Sequence, residues 1–147
     1  MPAVEYVTLA NHAEAINGLL YLQGAGWNVL NRQVAPGEQP PAVHFGIGAS
    51  LLVSWAETNR RHDFAVWIEP EDGGSAVFSL NGGFEVGRAP GVRSGADQRT
   101  VLAMQVTLGN AVAGGYRLMT RVGAGDGASL KSVSLEVRDQ LALGLVS

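Results

Sequence analysis

The chain has 147 residues, of which 46% are hydrophobic and 16% are charged, a composition typical of one globular domain rather than a disordered segment. The net charge is -3 and the basic residues are scattered, with Lys131 the only lysine, which argues against general binding to nucleic acid. Because the sequence has no cysteine, it excludes disulfide bridges, thiolate metal sites and a cysteine nucleophile.

The first third of the chain alternates between strand and turn signals. Residues 4–9 are rich in β-branched and aromatic side chains and predict a first strand. Asn17 and Gly18 stand between two apolar runs and predict a hairpin with a type I′ turn, because both residues tolerate positive φ. Residues 24–27 then break the strand. Residues 31–41 contain three prolines and no periodicity, which predicts a surface connection from one sheet to the other.

The clearest pattern lies between residues 43 and 55, where the odd positions are all apolar and the even positions are mostly small or polar. A period of two indicates a strand with one face in a core. A polar turn follows at residues 56–62, and residues 63–69 alternate in the same way. We therefore expect an antiparallel hairpin at the centre of a sheet.

The rest of the chain repeats this pattern in shorter pieces. Further strands are predicted at residues 76–80, 101–108, 116–122 and 133–137. Residues 81–98 predict a long irregular loop. About eight short strands indicate an all-β protein, a single-domain antiparallel β-sandwich that is immunoglobulin-like or jelly-roll-like. We expect this domain to span residues 1–138, followed by an apolar C-terminal tail at residues 139–147.

Targeting and membrane signals do not stand out in the sequence. The first residues lack a basic segment followed by an apolar run, so no signal peptide is read. No apolar stretch approaches the ~20 residues that cross a bilayer. We therefore expect a cytoplasmic protein without a membrane partner.

The sequence contains no recognisable catalytic or metal-binding motif. His12, His44 and His62 lack the spacing of zinc ligands, and the serines lack a nucleophile elbow. We therefore expect no catalytic residue, no bound metal and no cofactor.

Basic side chains in two turns are candidates for a binding site. Arg60, Arg61 and His62 follow the clearest strand, and they either bind an anion or a partner or form a solvated turn whose charges pair with one another. Arg88 and Arg93 lie in the predicted long loop, where they could close over a ligand or contact a neighbouring subunit.

Two apolar features are candidates for an interface. Trp67 has the opposite parity to its strand's core residues, so it is covered by the long loop, used in a protein interface, or stacked on a sugar ring together with Trp27. The leucines of the tail, Leu141, Leu143 and Leu145, either fold back onto their own domain or dock on a neighbouring subunit.

Three segments carry a resemblance to a known family: residues 18–27, residues 55–62 and residues 85–88. With these motifs, most of residues 3–138 resembles a bacterial family of small all-β domains of unknown function. The segment at residues 55–62 is the most specific of the three. The resemblance implies the extent of the domain and no activity.

These observations favour a non-enzymatic β-sandwich that acts through protein–protein contacts, as a self-assembling unit, a structural subunit or an adaptor. Its partner would be a protein, either another copy of the chain or a different one. The alternative is a small-ligand or carbohydrate-binding domain, or a hydrolase, with a pocket under the 81–98 loop. That pocket would be lined by His44, His62, Arg88, Arg93 and Asp97.

Overall fold

The structure is a computed structural model that describes residues 2–88, 90–109 and 111–141. Most of these residues lie in strands. The strands are β1 (Ala3–Ile16), β2 (Leu19–Ala25), β3 (Val29–Val34), β4 (Val43–Val53), β5 (Arg61–Pro70), β6 (Phe78–Glu85), β7 (Gln98–Leu108), β8 (Gly114–Val122) and β9 (Ser129–Leu141). Sheet A has the order β2-β1-β4-β7, and sheet B has the order β3-β9-β8-β5-β6.

The two sheets enclose one apolar core. Leu9, Phe45 and Ile47 of sheet A and Val66 and Leu118 of sheet B belong to a single cluster of side chains that are at most 1% exposed. Each such side chain contributes roughly 1.5–3 kcal/mol by leaving water. Alternation along each strand thus builds the predicted all-β sandwich. Helical structure in the described residues is confined to single 3-10 turns at Trp55–Glu57 and Gly125–Gly127, and none of it is long and apolar enough to span a bilayer.

The predicted antiparallel sandwich is confirmed with one exception among the described strands, a parallel strand pair in sheet B. Strand β3 runs parallel to β9, with Val29 opposite Glu136 and Val34 opposite Leu141. The surface connection expected from residue 31 therefore begins only after Val34. Its predicted crossing between sheets is confirmed, because β3 lies in sheet B and β4 lies in sheet A.

Strands β4 and β5 do not form the expected hairpin. Strand β4 is central in sheet A, between β1 and β7, whereas β5 lies in sheet B between β8 and β6. Alternation specifies which face of a strand is buried, but it does not specify the neighbouring strand. The turn at residues 54–60 therefore links the two sheets.

Strand β6 occupies the first part of the predicted long loop. Gly82 pairs with Phe64 and Gly83 pairs with Asp63, although the sequence predicts an irregular loop from residue 81. These glycines fit a strand here because a Cβ at Gly82 would lie 2.7 Å from the Phe64 ring, and one at Gly83 would overlap the Arg61 guanidinium. The irregular connection is therefore residues 86–97.

The predicted tail begins inside a strand. Strand β9 continues to Leu141, so residues 139–141 belong to sheet B, and Leu141 is 59% exposed at the strand's end. Asp139 forms an ion pair with the buried Arg32 of β3, with 2.6 Å between Oδ1 and Nε and 3.0 Å between Oδ2 and Nη2. Leu143 and Leu145 lie outside the described residues.

Candidate protein-binding surface

A two-stranded ribbon projects from sheet A and is called the arm here, residues 10–25. It consists of the second half of β1 and all of β2, joined by Asn17 and Gly18 at φ angles of 51° and 76°. Both angles are positive, as a type I′ turn requires, so the predicted hairpin is confirmed. Ile16 lies directly opposite Leu19 beside this turn.

The arm folds over the outer face of sheet A, the face turned away from the core. A Cβ placed on Gly46 would lie 2.6 Å from the backbone nitrogen of Ala13, and one placed on Gly48 would lie 2.7 Å from Cδ2 of Leu22. Real Cβ atoms do not approach so closely, so these two glycines provide the space that the arm occupies. This contact explains why Gly46 and Gly48 are buried although they lie on the outer face of β4.

Polar contacts also tie the arm to β7. The Gln105 side-chain amide donates to the carbonyl oxygen of Ala13 at 2.6 Å, and its Nε2 lies 3.4 Å from Nδ1 of His12. His12 Nε2 in turn lies 2.8 Å from a carboxylate oxygen of Glu14, so these two side chains share one face as their spacing predicts. The arm is therefore anchored over β4 from one edge of the sheet to the other.

The face of the arm that points away from sheet A is apolar at its tip. Ile16 is 47% exposed, Leu19 is 60% exposed and Tyr21 is 51% exposed. Strand β2 carries no charged residue and no proline. Edge strands normally carry such residues because they discourage pairing with other chains. The arm therefore presents an exposed apolar surface on an unprotected edge.

An ion pair lies on the same outer face, beyond the arm. The Arg99 guanidinium donates two hydrogen bonds to the Glu5 carboxylate, at 2.8 and 2.7 Å, and the Ser50 hydroxyl donates a third at 2.9 Å. The hydrogen bond from Arg99 first, and that from Ser50 second, hold the pKa of Glu5 below its usual range. Glu5 is therefore charged and already paired at neutral pH.

The structure brings three of the predicted basic residues to one end of the sandwich. Arg60, Arg61 and His62 line a cavity of about 280 Å³ together with Glu57 and Asp63. His62 Nε2 lies 2.7 Å from the carbonyl oxygen of Glu57, so this nitrogen carries a proton and donates. The Arg61 guanidinium lies instead over Gly83 of β6, which leaves mixed charge around the cavity rather than a focused anion site.

Arg88 has a structural role in the turn that links the sheets. Its Nε donates to the Thr58 hydroxyl at 2.7 Å, its Nη2 donates to the Trp55 carbonyl at 3.0 Å, and its guanidinium carbon stands 4.0 Å from the centre of the Trp55 ring. These contacts hold the turn at residues 55–58 in place. They use two of the five N–H donors of the guanidinium and fix its orientation.

The other residues of the expected pocket are dispersed. Arg93 is exposed on the 86–97 connection, and the His44 ring is hydrogen-bonded to Thr107 at 2.8 Å on sheet A. His62 lies in β5 of sheet B, opposite Phe84 of β6. The structure therefore does not bring the proposed lining of a pocket under the loop together.

The two candidate tryptophans lie on different parts of the molecule. Trp67 is half-buried on the outer face of sheet B, opposite Met119 and Ser79, with the Arg121 guanidinium 5.7 Å from its ring centre. Trp27 packs edge-on against Phe45 of the core, with ring centres 5.7 Å apart. A sugar platform made of both rings does not exist here.

Three adjoining cavities, of about 500, 350 and 250 Å³, open at the end of the sandwich near Gly114 and Gly115. Their ionisable lining residues are the carboxylates Glu71, Asp72, Glu136 and Asp139 and the phenol of Tyr116. The Tyr116 hydroxyl already donates to a backbone carbonyl, and burial raises its pKa. Within the described part of the chain, no group of three or more metal-binding side chains converges. These cavities offer no reactive constellation.

Sequence reasoning missed Ile16, Leu19 and Tyr21 as surface residues because their alternation was read only as evidence for a strand. A signal was present, since residues 19–25 are apolar or neutral on both parities. What the pattern could not give is the fold of the arm over Gly46 and Gly48, which exposes one of its faces.

The fold and this surface define a class of protein: a two-sheet β-sandwich whose N-terminal hairpin covers the outside of one sheet. Residues 5–138 match the family of unknown function DUF6941, and the chain belongs to this family. The match confirms the resemblance to a family without an assigned activity, and it includes the whole arm. No curated protein is similar enough to the chain to count as a match.

Proposed function

We propose that this protein is a non-enzymatic binding module that acts through protein–protein contacts, as an adaptor whose docking element is the arm. The observation that carries the proposal is the exposure of Ile16, Leu19 and Tyr21 on one face of the arm, whose edge strand β2 carries no charge. Exposed apolar groups that cluster in this way are typical of interaction sites.

The size of the surface favours a small partner element over a large rigid one. A stable interface between two folded proteins uses roughly 20–30 residues on each side, with large residues such as tyrosine as anchors. The tip of the arm supplies three large side chains. Capture of a short segment of a partner fits this surface better than stable self-assembly through the tip alone.

The rigid attachment of the arm also supports the proposal. Contacts of the arm with Gly46, Gly48 and Gln105 fix its position on sheet A before a partner arrives. Binding then costs little ordering of the module, which preserves affinity for a modest contact area.

Site-specific photo-crosslinking in the producing cell tests the proposal. A benzophenone amino acid replaces Tyr21 in one variant and Leu130 in the control, because Leu130 is comparably exposed, at 54%, but lies on sheet B. We expect a discrete cross-linked protein from position 21 and none from position 130. We also expect the product from position 21 to disappear when Leu19→Asp is added.

Equal products from the two positions, or no product from position 21, would contradict a docking role for the arm. So would a product that persists with Leu19→Asp, provided that circular dichroism shows both variants to be folded. The bacterial source and the cytoplasmic location expected from the sequence stay predictions.

A further inference from the structure

The register of the arm determines which backbone groups of β2 face outward. In a hairpin with a two-residue turn, the two residues that flank the turn exchange both of their backbone hydrogen bonds. Ile16 and Leu19 are that pair, so Leu19 and Tyr21 direct their N–H and C=O groups toward β1. Leu20 and Leu22 therefore direct theirs to the opposite side.

That opposite side of β2 is open. Strand β2 is at the edge of sheet A and pairs with β1, and the described residues supply no partner for the outward groups of Leu20 and Leu22. Backbone groups of this kind bind strongly when another extended chain satisfies them. The edge is therefore a template for one more strand.

A strand added to β2 would lie on a defined floor. The side chains of Leu20 and Leu22 rest over Gly48, and the next residue along β4 on the same face is Ser50. Two residues advance about 6.6 Å along a strand, somewhat more than the ~4.8 Å between neighbouring strands. The added strand would thus lie above the row of register partners Tyr6, Ser50 and Val101. Ser50 is fully buried and donates to the Glu5 carboxylate, so the surface of this row consists of the other two side chains and the Glu5–Arg99 pair.

This floor is neutral. Tyr6 is 42% exposed, and the two charged side chains that lie on this row, Glu5 and Arg99, neutralise each other. Strand β2 is uncharged as well. A charged segment would lose hydration here without gaining a partner, so the site selects an uncharged one.

We propose that the open edge of β2 binds an extended, uncharged protein segment with an apolar side chain at every second position, by addition of that segment as a strand over Tyr6, Val101 and the paired side chains of Glu5 and Arg99. This inference rests on the proposed function and specifies its partner. An antiparallel pair of β2 strands from two copies is disfavoured, because a two-fold axis normal to the ribbon would place both copies of sheet A beneath the same two strands. The ligand is therefore a flexible segment.

A peptide of the required chemistry provides the probe. The sequence Gln-Leu-Ala-Leu-Gly-Leu-Val-Ser, that of residues 140–147, is uncharged and has leucine at alternate positions. Titration of the full-length protein with this peptide, followed by amide NMR, should shift the Leu20 and Leu22 amide signals and slow their hydrogen exchange. The Tyr21 amide, already bonded to β1, should gain little protection.

Two matched substitutions separate backbone recognition from side-chain contact. Leu22→Pro removes the outward N–H at an edge position where proline is tolerated, whereas Leu22→Ala keeps the N–H and removes most of the side chain. We expect Leu22→Pro to bind the peptide about fivefold or more weakly than Leu22→Ala, the effect of one lost hydrogen bond. A peptide that is N-methylated at alternate residues should bind neither of these two variants.

Equal affinity of the two variants, binding of the N-methylated peptide, or no change in the Leu20 and Leu22 signals would overturn strand addition. If these results came with a specific crosslink at position 21, the arm would still be a docking element with a different mode of contact. Failure of the crosslink alone would remove the cellular role and leave the peptide site intact.

Discussion

Two edge strands of this sandwich, β2 in sheet A and β3 in sheet B, differ in whether they carry a charged side chain. Strand β3 carries Arg32, whose side chain is fully buried and paired with Asp139, whereas β2 carries no charged side chain. A charge that points inward from an edge strand is one of the devices that prevent pairing with a foreign chain. The difference indicates that β3 is closed to partners and that β2 is left open to them.

The comparison also separates what each edge contributes to stability. Strand β3 is held by a specific ion pair between residues that are 107 positions apart. The arm is held by close packing on glycines and by one amide side chain. Loss of the pair should therefore affect the whole fold, and loss of the packing should chiefly affect the arm.

The largest expected effect comes from opening the β3 edge with Asp139→Ala. This change leaves the Arg32 guanidinium buried without its counter-charge, and breaking a buried pair in this way typically costs about 3–5 kcal/mol. We expect a loss of this size in the free energy of unfolding, measured by urea denaturation. Nη1 of Arg32 is already buried without a hydrogen-bond partner in the described structure, which leaves Asp139 as the main compensation.

The control for this prediction is Glu136→Gln, which breaks a neighbouring ion pair, Glu136 with Arg138, that lies half-exposed on the same strand. Its effect should be much smaller because solvent screens the pair. The double variant Arg32→Met with Asp139→Leu should recover most of the lost stability, since apolar replacement of a buried pair is often neutral. Equal losses from Asp139→Ala and Glu136→Gln would show that the pair does not hold β3.

The second prediction addresses the packing of the arm. In Gly46→Ala the new methyl group meets the Ala13 backbone at 2.6 Å, which cannot yield without moving the arm. We expect a cost of about 1–3 kcal/mol, typical of an overpacked site, together with faster hydrogen exchange in residues 10–25. Gly48→Ala should cost less, because it meets the flexible ends of Leu20 and Leu22.

Gly109→Ala is the matched control, because a Cβ at Gly109 meets nothing within 4 Å. It should leave both the stability and the exchange of the arm unchanged. If Gly46→Ala behaved like Gly109→Ala, the arm would not be fixed on sheet A in the way that strand addition requires.

The sequence predicts the local features of this comparison well. Alternation at residues 43–53 identifies the strand with the most completely buried face, and Asn17-Gly18 identifies the turn of the arm. Both signals come from residues that are close in the sequence, so they do not depend on the rest of the fold.

The predictions that were wrong concern features that depend on residues far apart in the sequence. The segment of strand β3 has a polar sequence, and Arg32 can be buried there only because Asp139 lies beside it. No pattern in the neighbouring residues predicts that pairing. Gly82 and Gly83 fall in the predicted long irregular loop because their neighbours Phe64 and Arg61 come from another strand. The prediction of a β4–β5 hairpin was wrong for the same reason, since alternation indicates which face of a strand is buried and not which strand lies beside it.

The smallest expected effect concerns the floor beside β2, through the pH dependence of Glu5. Because Arg99 and Ser50 lower the pKa of Glu5 below its ordinary value of 4.5, the unfolded chain takes up this proton at a higher pH than the folded one. The resulting stabilisation is complete above the unfolded value and is lost as the pH falls through the lowered folded value.

Glu5→Gln removes this titration, so it should lower the urea midpoint at about pH 6 and lose that effect as the pH falls through the lowered pKa of folded Glu5, where the wild-type carboxylate becomes protonated as well. High salt should shrink the difference at the upper pH, because the pair with Arg99 is partly exposed. A difference between wild type and variant that stayed constant across this range would mean that Glu5 acts by packing rather than by charge. The floor would then lack the self-neutralised pair that lets the β2 edge select an uncharged segment.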